Sequence, residues 1–278
     1  MKPYVAKDLH EGLKILINYI LEKHTSFKIK SSDIYSNEEL IIILTSLLKD
    51  TNKFSLQAKQ IFYNRLVFER KKYQYSDPVI LNPAKLDISN DEHLNAWAYW
   101  HSDLNADILL IGQDFGGYAY YSNYDGKDDP ENKTNINLAC LFSQLEIDLG
   151  QSDAPNINAK LYFTNAVLGV KNGAMSAPIK KGWYSDTAIK FIKPLIEIIQ
   201  PKIIIALGSK AYDVVSMIYS LDKKPMKEII DANPISLPDN KKLFVVYHCS
   251  NLGIANRSFD TQREDWKKIK AYMEQNGC

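Results

Sequence analysis

The sequence predicts an α/β protein: a three-layer α/β/α sandwich with a central four-stranded parallel sheet, plus an N-terminal helical extension. Three observations carry this. Four short runs rich in Ile, Leu, Val, Phe and Tyr lie at residues 106–111, 160–164, 202–207 and 242–247, each bounded by turn signals. Continuous apolar runs of that length are how strands buried on both faces read. Segments of helical periodicity follow at 137–149, 186–200, 210–221 and 260–274, and strand–helix alternation means crossover connections and parallel pairing. The first 75 or so residues, by contrast, carry helical patterns only.

Taken in order, residues 7–24 set Leu9, Leu13, Leu16, Ile17, Ile20 and Leu21 on one stripe at spacings of three and four. A second helix is expected over 37–50, with Ser36 as its N-cap and Glu39 completing a capping box. A third runs over 56–72. Ser76-Asp77-Pro78 and Asn82-Pro83 then signal turns, which divides the chain into a helical extension at 1–83 and an α/β/α domain at 84–278. Within that domain Gly208-Ser209 reads as a strand-to-helix turn with Ser209 as N-cap.

Composition excludes several classes. With 278 residues, 45% hydrophobic and 24% charged, the chain resembles a soluble globular protein with ample core. It has no run of 18 apolar residues, so no membrane span is expected. The first segment is amphipathic rather than a secretory leader, and a cytoplasmic location follows by default. Cys140, Cys249 and Cys278 form no C-x-x-C pair, against a disulfide framework, zinc or an iron–sulfur cluster. No cofactor or metal is expected, and nothing specifies an oligomeric state. Net charge is +1, although residues 1–75 hold 13 Lys and Arg against 8 Asp and Glu. A protein that reads nucleic acid through backbone amides and a few side chains needs no high net charge.

Chemistry-bearing residues cluster where each strand ends. The blocks are Gly112-Gln113-Asp114-Phe115-Gly116, Asn165-Ala166-Val167-Leu168, Leu207-Gly208-Ser209-Lys210-Ala211 and His248-Cys249-Ser250-Asn251-Leu252. Ligands of open α/β sheets bind at the carboxyl ends of the strands, so a carboxylate, an amide and an imidazole are expected to converge on one crevice. A nucleotide-binding enzyme is disfavoured, because no G-x-G-x-x-G or G-x-x-x-x-G-K-[ST] follows any strand.

These blocks, with Gly182-Trp183, Arg257 and Phe259 in the same order, resemble the motifs of the uracil-DNA glycosylase superfamily over roughly residues 104–275. The resemblance implies a glycosylase that extrudes a pyrimidine nucleotide from DNA and hydrolyses its N-glycosidic bond, a reaction that builds positive charge on the sugar and negative charge on the base. Asp114 would orient the attacking water and offset the sugar's charge. His248 would donate a hydrogen bond to the base carbonyl oxygen, which a neutral imidazole can do if its tautomer is fixed. Asn165 would read the Watson–Crick edge, with Gln113, Phe115, Gly116, Tyr118 and Tyr120 around the base. Leu252 would fill the gap left by the extruded nucleotide, and Asn137, Ser176, Ser209, Ser250 and Arg257 would lie along the DNA backbone. DNA is the implied partner, with no membrane and no metal cluster.

One departure bears on substrate. Uracil-strict members follow the catalytic Asp with a proline and then a tyrosine that crowds the pyrimidine 5-position; this chain has Phe115 and Gly116. The resemblance therefore implies an open wall, followed by a tyrosine-rich stretch over 117–126 that supplies a stacking ring. A branch of the superfamily removes glucosylated hydroxymethylcytosine from phage DNA, and a bulky 5-modified pyrimidine is the favoured expectation. Plain uracil in base-excision repair stays open, because the Asn165 amide suits either ring by flipping. A catalytically inactive member that only binds nucleic acid or protein stays open too.

Overall fold

A computed structural model describes the chain apart from residues 1–2, 25–27, 31–32, 51–52, 87–93, 97–100, 126–128, 130, 152–153, 176 and 278. Ser176 and Cys278 thus lie outside the described residues. The N-terminal helices are α1 (Pro3–His24), α2 (Asn37–Lys49) and α3 (Leu56–Lys72). The expected capping box holds: the Ser36 side chain accepts from Glu39 N, and Ser36 N donates to Glu39 Oε2 at 2.7 Å.

The expected strands form as β2 (Ile108–Gly112), β3 (Leu161–Asn165), β5 (Ile203–Leu207) and β7 (Lys242–Val246). They pair in parallel in the order β3-β2-β5-β7, and the two-residue strand β6 (Ile235–Ser236) adds an antiparallel edge. A second antiparallel pair, β1 (Ile80–Leu81) with β4 (Val170–Lys171), joins the extension to the α/β domain. Strands of two residues carry no period, so neither pair was visible in the sequence.

Alternation along the central strands sorts their side chains onto two buried faces. Leu109, Ile111, Ile204, Ala206, Leu243 and Val245 share one core with α1, α2 and α3 and with α7 (Lys193–Ile199) and α8 (Ser209–Tyr219). Ile108, Leu110, Ile203, Ile205, Phe244 and Val246 share the other with α5 (Lys133–Phe142) and α11 (Phe259–Asn276). The three expected layers are therefore present, and the extension packs into the first face. Lys59 of α3 anchors it there, its buried ammonium donating to Leu104 O at 3.0 Å and to Ile199 O, the last residue of α7, at 2.7 Å. That placement suits a cation at a helix C-terminus.

Several boundaries differ from expectation for local reasons. Asn132 caps α5 by accepting from Thr134 N at 2.8 Å, so that helix starts before residue 137. The helix expected at 186–200 begins earlier, as α6 (Gly182–Thr187), and reaches α7 through a π-helical stretch at Ala188–Ile192. Ser209 is not the N-cap of α8. Gly208 holds that position at φ 89°, a left-handed conformation open to glycine, and Ser209 is the first helical residue, without a capping bond. Three short helices were not expected: α4 (Tyr118–Asn123), α9 (Met226–Asp231) and α10 (Asn251–Asn256). Among the described residues no helix is long and apolar enough to cross a membrane, and no group of His, Cys, Asp or Glu is placed to hold a metal ion.

Candidate active site

Chain order takes β2 to β3 on one side and then crosses to β5 on the other, so the sheet's switch point lies between β2 and β5. Crevices form at such points, beyond the carboxyl ends of the strands. Asp114 enters two residues after β2, and His248 two residues after β7. The Asp114 carboxylate is close enough for its charge to act on the His248 ring. The two groups thus lie near one another beyond the carboxyl ends of β2 and β7.

His248 is half-buried and held in one tautomer. Ser250 N donates to its Nδ1 at 3.2 Å, so the neutral ring carries its proton on Nε2. Burial lowers the His248 pKa below its ordinary 6.5, and Asp114 pulls in the opposite direction with the smaller effect. Two glycines make room for this residue. A Cβ on Gly208 would lie 3.3 Å from His248 Cβ, and one on Gly253 would lie 1.6 Å from His248 O. The loop after His248 is braced from α5: Asn137 Nδ2 donates to Cys249 O at 2.8 Å, and the buried Cys249 thiol reaches Thr134 O at 3.3 Å. Ser250 caps α10, which presents Leu252 to solvent at 76% exposure.

Asn165 ends β3 opposite Gly112. A Cβ at Gly112 would stand 2.5 Å from Asn165 Oδ1, so the missing side chain is what admits the amide. Asn165 is 1% exposed, and its Nδ2 has no hydrogen-bond partner among the described residues. A buried donor left open costs about 1–3 kcal/mol, and such groups in a crevice are where a ligand's acceptor fits. The loops carrying Asp114 and Asn165 are stitched together, Ala166 N to Gly112 O and Val167 N to Gln113 O, each at 2.9 Å.

Asp114 is oriented from three sides. Gly116 N donates to its Oδ1 at 2.6 Å, Gln113 Nε2 lies 3.5 Å from Oδ2, and Lys171 Nζ pairs with Oδ2 at 3.1 Å. Lys171 is 1% exposed, and its ammonium also donates to Met175 O at 2.6 Å and Ala177 O at 3.3 Å. A single Lys in a two-residue strand carries no pattern, so this lysine is not legible from the order of residues. Arg70 was equally hidden. It is fully buried, donates to Asn82 Oδ1 at 2.9 Å and to Leu168 O, and so fastens the extension to the loop that follows Asn165.

The remaining expected residues divide. Phe115 packs edge-on against Tyr121 with both rings fully buried, so its side chain belongs to the core. Tyr118 is exposed at the start of α4, and Tyr120 accepts from Asn132 Nδ2 at 2.7 Å. A Cβ at Gly116 would stand in ordinary contact with Tyr120 Cδ1 at 3.5 Å and with Met175 Cε and Cγ at 3.6 Å, so those two side chains border the space beside it. Ser209 is exposed at the start of α8. Arg257 is engaged within the protein, its Nε and NH2 bonding the Asp265 carboxylate at 2.5 and 2.7 Å. A guanidinium committed to a buried carboxylate is a structural tie between α10 and α11.

The architecture is an α/β/α sandwich whose strand ends carry a carboxylate, an imidazole and an amide. The family model of the uracil DNA glycosylase superfamily matches residues 100–273, and the chain belongs to that superfamily. No curated protein matches the chain.

Proposed function

We propose that this protein is a monofunctional glycosylase that extrudes a pyrimidine nucleotide from DNA and hydrolyses its N-glycosidic bond, with a bulky 5-modified pyrimidine such as glucosylated hydroxymethylcytosine of phage DNA as its target. The observation that carries the reading is the His248 tautomer, an Nε2–H donor beside the Asp114 carboxylate. As the C1′–N1 bond breaks, its electron pair leaves on the base, and the charge growing on the carbonyl oxygen O2 meets that N–H. Donors aimed at developing charge in a dry site commonly contribute a hundredfold or more. Water accepted by Asp114 adds to C1′, and its proton reaches the departing base through solvent. Free base and an abasic sugar result. Asn165 Nδ2, buried and unpaired, supports recognition of an acceptor on the pyrimidine edge. Leu252 supports extrusion, since an exposed leucine at the crevice rim can occupy the vacated stack. The N-terminal residue of α8, Ser209, and the Ser250 cap are proposed as backbone contacts, in a protein working in the cytoplasm.

The absence of a side chain at Gly116 supports the 5-modified base. The reading of plain uracil draws on one observation too, the presence of Met175 and Tyr120 over that glycine. Incubation with oligonucleotides bearing uracil, 5-hydroxymethylcytosine or its glucosylated form, scored by alkali cleavage, decides between them. Asp114→Asn is expected to lower turnover by orders of magnitude while DNA binding survives. Unchanged cleavage by that variant would remove Asp114 from the chemistry, and no cleavage of any probe by the wild type would refute the enzyme reading.

A further inference from the structure

A pyrimidine presents four sides to a pocket, and the crevice assigns three of them. On the glycosylase reading, which this inference rests on, the O2 side faces His248, the N3–C4 side faces Asn165, and N1 with its sugar faces Asp114. The C5–C6 side is left. It must face the chain that continues from Asp114, where Gly116 bears no side chain and sits at φ 77°.

What stands over Gly116 comes from elsewhere in the sequence. The positions nearest a Cβ there are Met175 Cγ and Cε at 3.6 Å and Tyr120 Cδ1 at 3.5 Å. The backbone of Met175 is held in place: Lys171 Nζ donates to Met175 O at 2.6 Å, and Gly117 lies so near the same loop that a Cβ on it would meet Gly173 O at 2.3 Å. Gly117 also bridges to Lys171, whose ammonium pairs with Asp114. Met175 is 52% exposed, and its side chain has three rotatable bonds. A fixed backbone thus carries an adjustable wall, tied through one buried lysine to the carboxylate at the reacting bond.

We propose that Met175 is the residue that sets which 5-substituents the pocket admits. It meets an unsubstituted ring edge as a wall, and it turns toward solvent to make room for a substituent. Tyr120, whose hydroxyl is committed to Asn132, forms the fixed side of the same opening.

The test uses the full chain and a graded series on one ring: oligonucleotides with cytosine, 5-hydroxymethylcytosine and glucosylated 5-hydroxymethylcytosine, and a second series with uracil and 5-hydroxymethyluracil. The readout is the ratio of kcat/KM for the larger to the smaller member of the series that the wild type cleaves. Trimming or enlarging an apolar pocket wall by a few carbons changes discrimination by about tenfold or more. Met175→Ala is therefore expected to raise the ratio about tenfold, and Met175→Phe to lower it by a similar factor. Opposite movements cannot come from a general loss of folded protein. A wild type that cleaves while both variants leave the ratio within about twofold overturns the assignment of Met175 alone. A wild type that forms no abasic site on any probe overturns the glycosylase reading and this inference with it.

Discussion

Gly253→Ala tests how the imidazole is placed, and its effect can be sized from the structure. Gly253 is the third residue of α10, and a Cβ on it would lie 1.6 Å from His248 O and 2.6 Å from the His248 carbonyl carbon. Reaching an ordinary contact of 3.4 Å requires the two backbones to separate by about 1.8 Å. His248 has little freedom elsewhere, since Gly208 borders its Cβ and Ser250 N holds its ring. Misplacing a catalytic group by about an ångström costs on the order of a hundredfold in rate, equivalent to about 2.7 kcal/mol of barrier. The expected outcome is a kcat/KM for abasic-site formation about a hundredfold below wild type, with DNA affinity retained. Thermal unfolding measured alongside separates misplacement from loss of fold, and Gly182→Ala, whose Cβ would meet nothing within 4 Å, is the matched control. A Gly253→Ala protein that keeps wild-type kcat/KM would refute the view that this close approach positions His248.

Two further predictions concern pH and the extension. Because burial lowers the His248 pKa from 6.5 and Asp114 restores only part of the shift, the neutral ring persists as pH falls below 6.5. The acid limb assigned to His248, as the difference between wild type and His248→Gln in single turnover, is expected below 6.5; a limb at or above it would contradict the burial argument. The same shift makes the unfolded chain bind this proton more readily than the folded one. The contribution of His248 to stability is therefore intact above pH 6.5 and declines as pH falls from there through its lower folded value. In the extension, Arg70→Met takes the guanidinium donor from Leu168 O and leaves Asn82 Oδ1 with Ala84 N alone, which is expected to cost about 1–3 kcal/mol in urea unfolding. An unmoved midpoint would show that the extension is not fastened there.

Much of this molecule is local in origin and so was legible in the chain. The four central strands announce themselves as short β-rich apolar runs, and their ends and the turns after them hold Asn165, Asp114, Gly208 and His248. The capping box at Ser36 and Glu39 formed as its spacing required. At two helix starts a neighbouring residue has the stronger claim to the cap. Gly208, rather than Ser209, caps α8 because the chain turns there at positive φ, and Asn132 starts α5 a turn early because its side chain reaches Thr134 N.

Sequence alone determined the layered fold and the placing of a carboxylate, an amide and an imidazole at the carboxyl ends of its strands, because strand period and turn chemistry act over a few residues. Only the tertiary structure decided what surrounds those groups. Lys171 meets Asp114 through the bridge between Gly117 and Lys171, Met175 covers Gly116 from a different loop, Arg70 grips Leu168 across 98 residues, and Arg257 turns to Asp265. Each of those contacts depends on register and packing between segments distant in the chain, and such pairings leave no periodic trace in the order of amino acids.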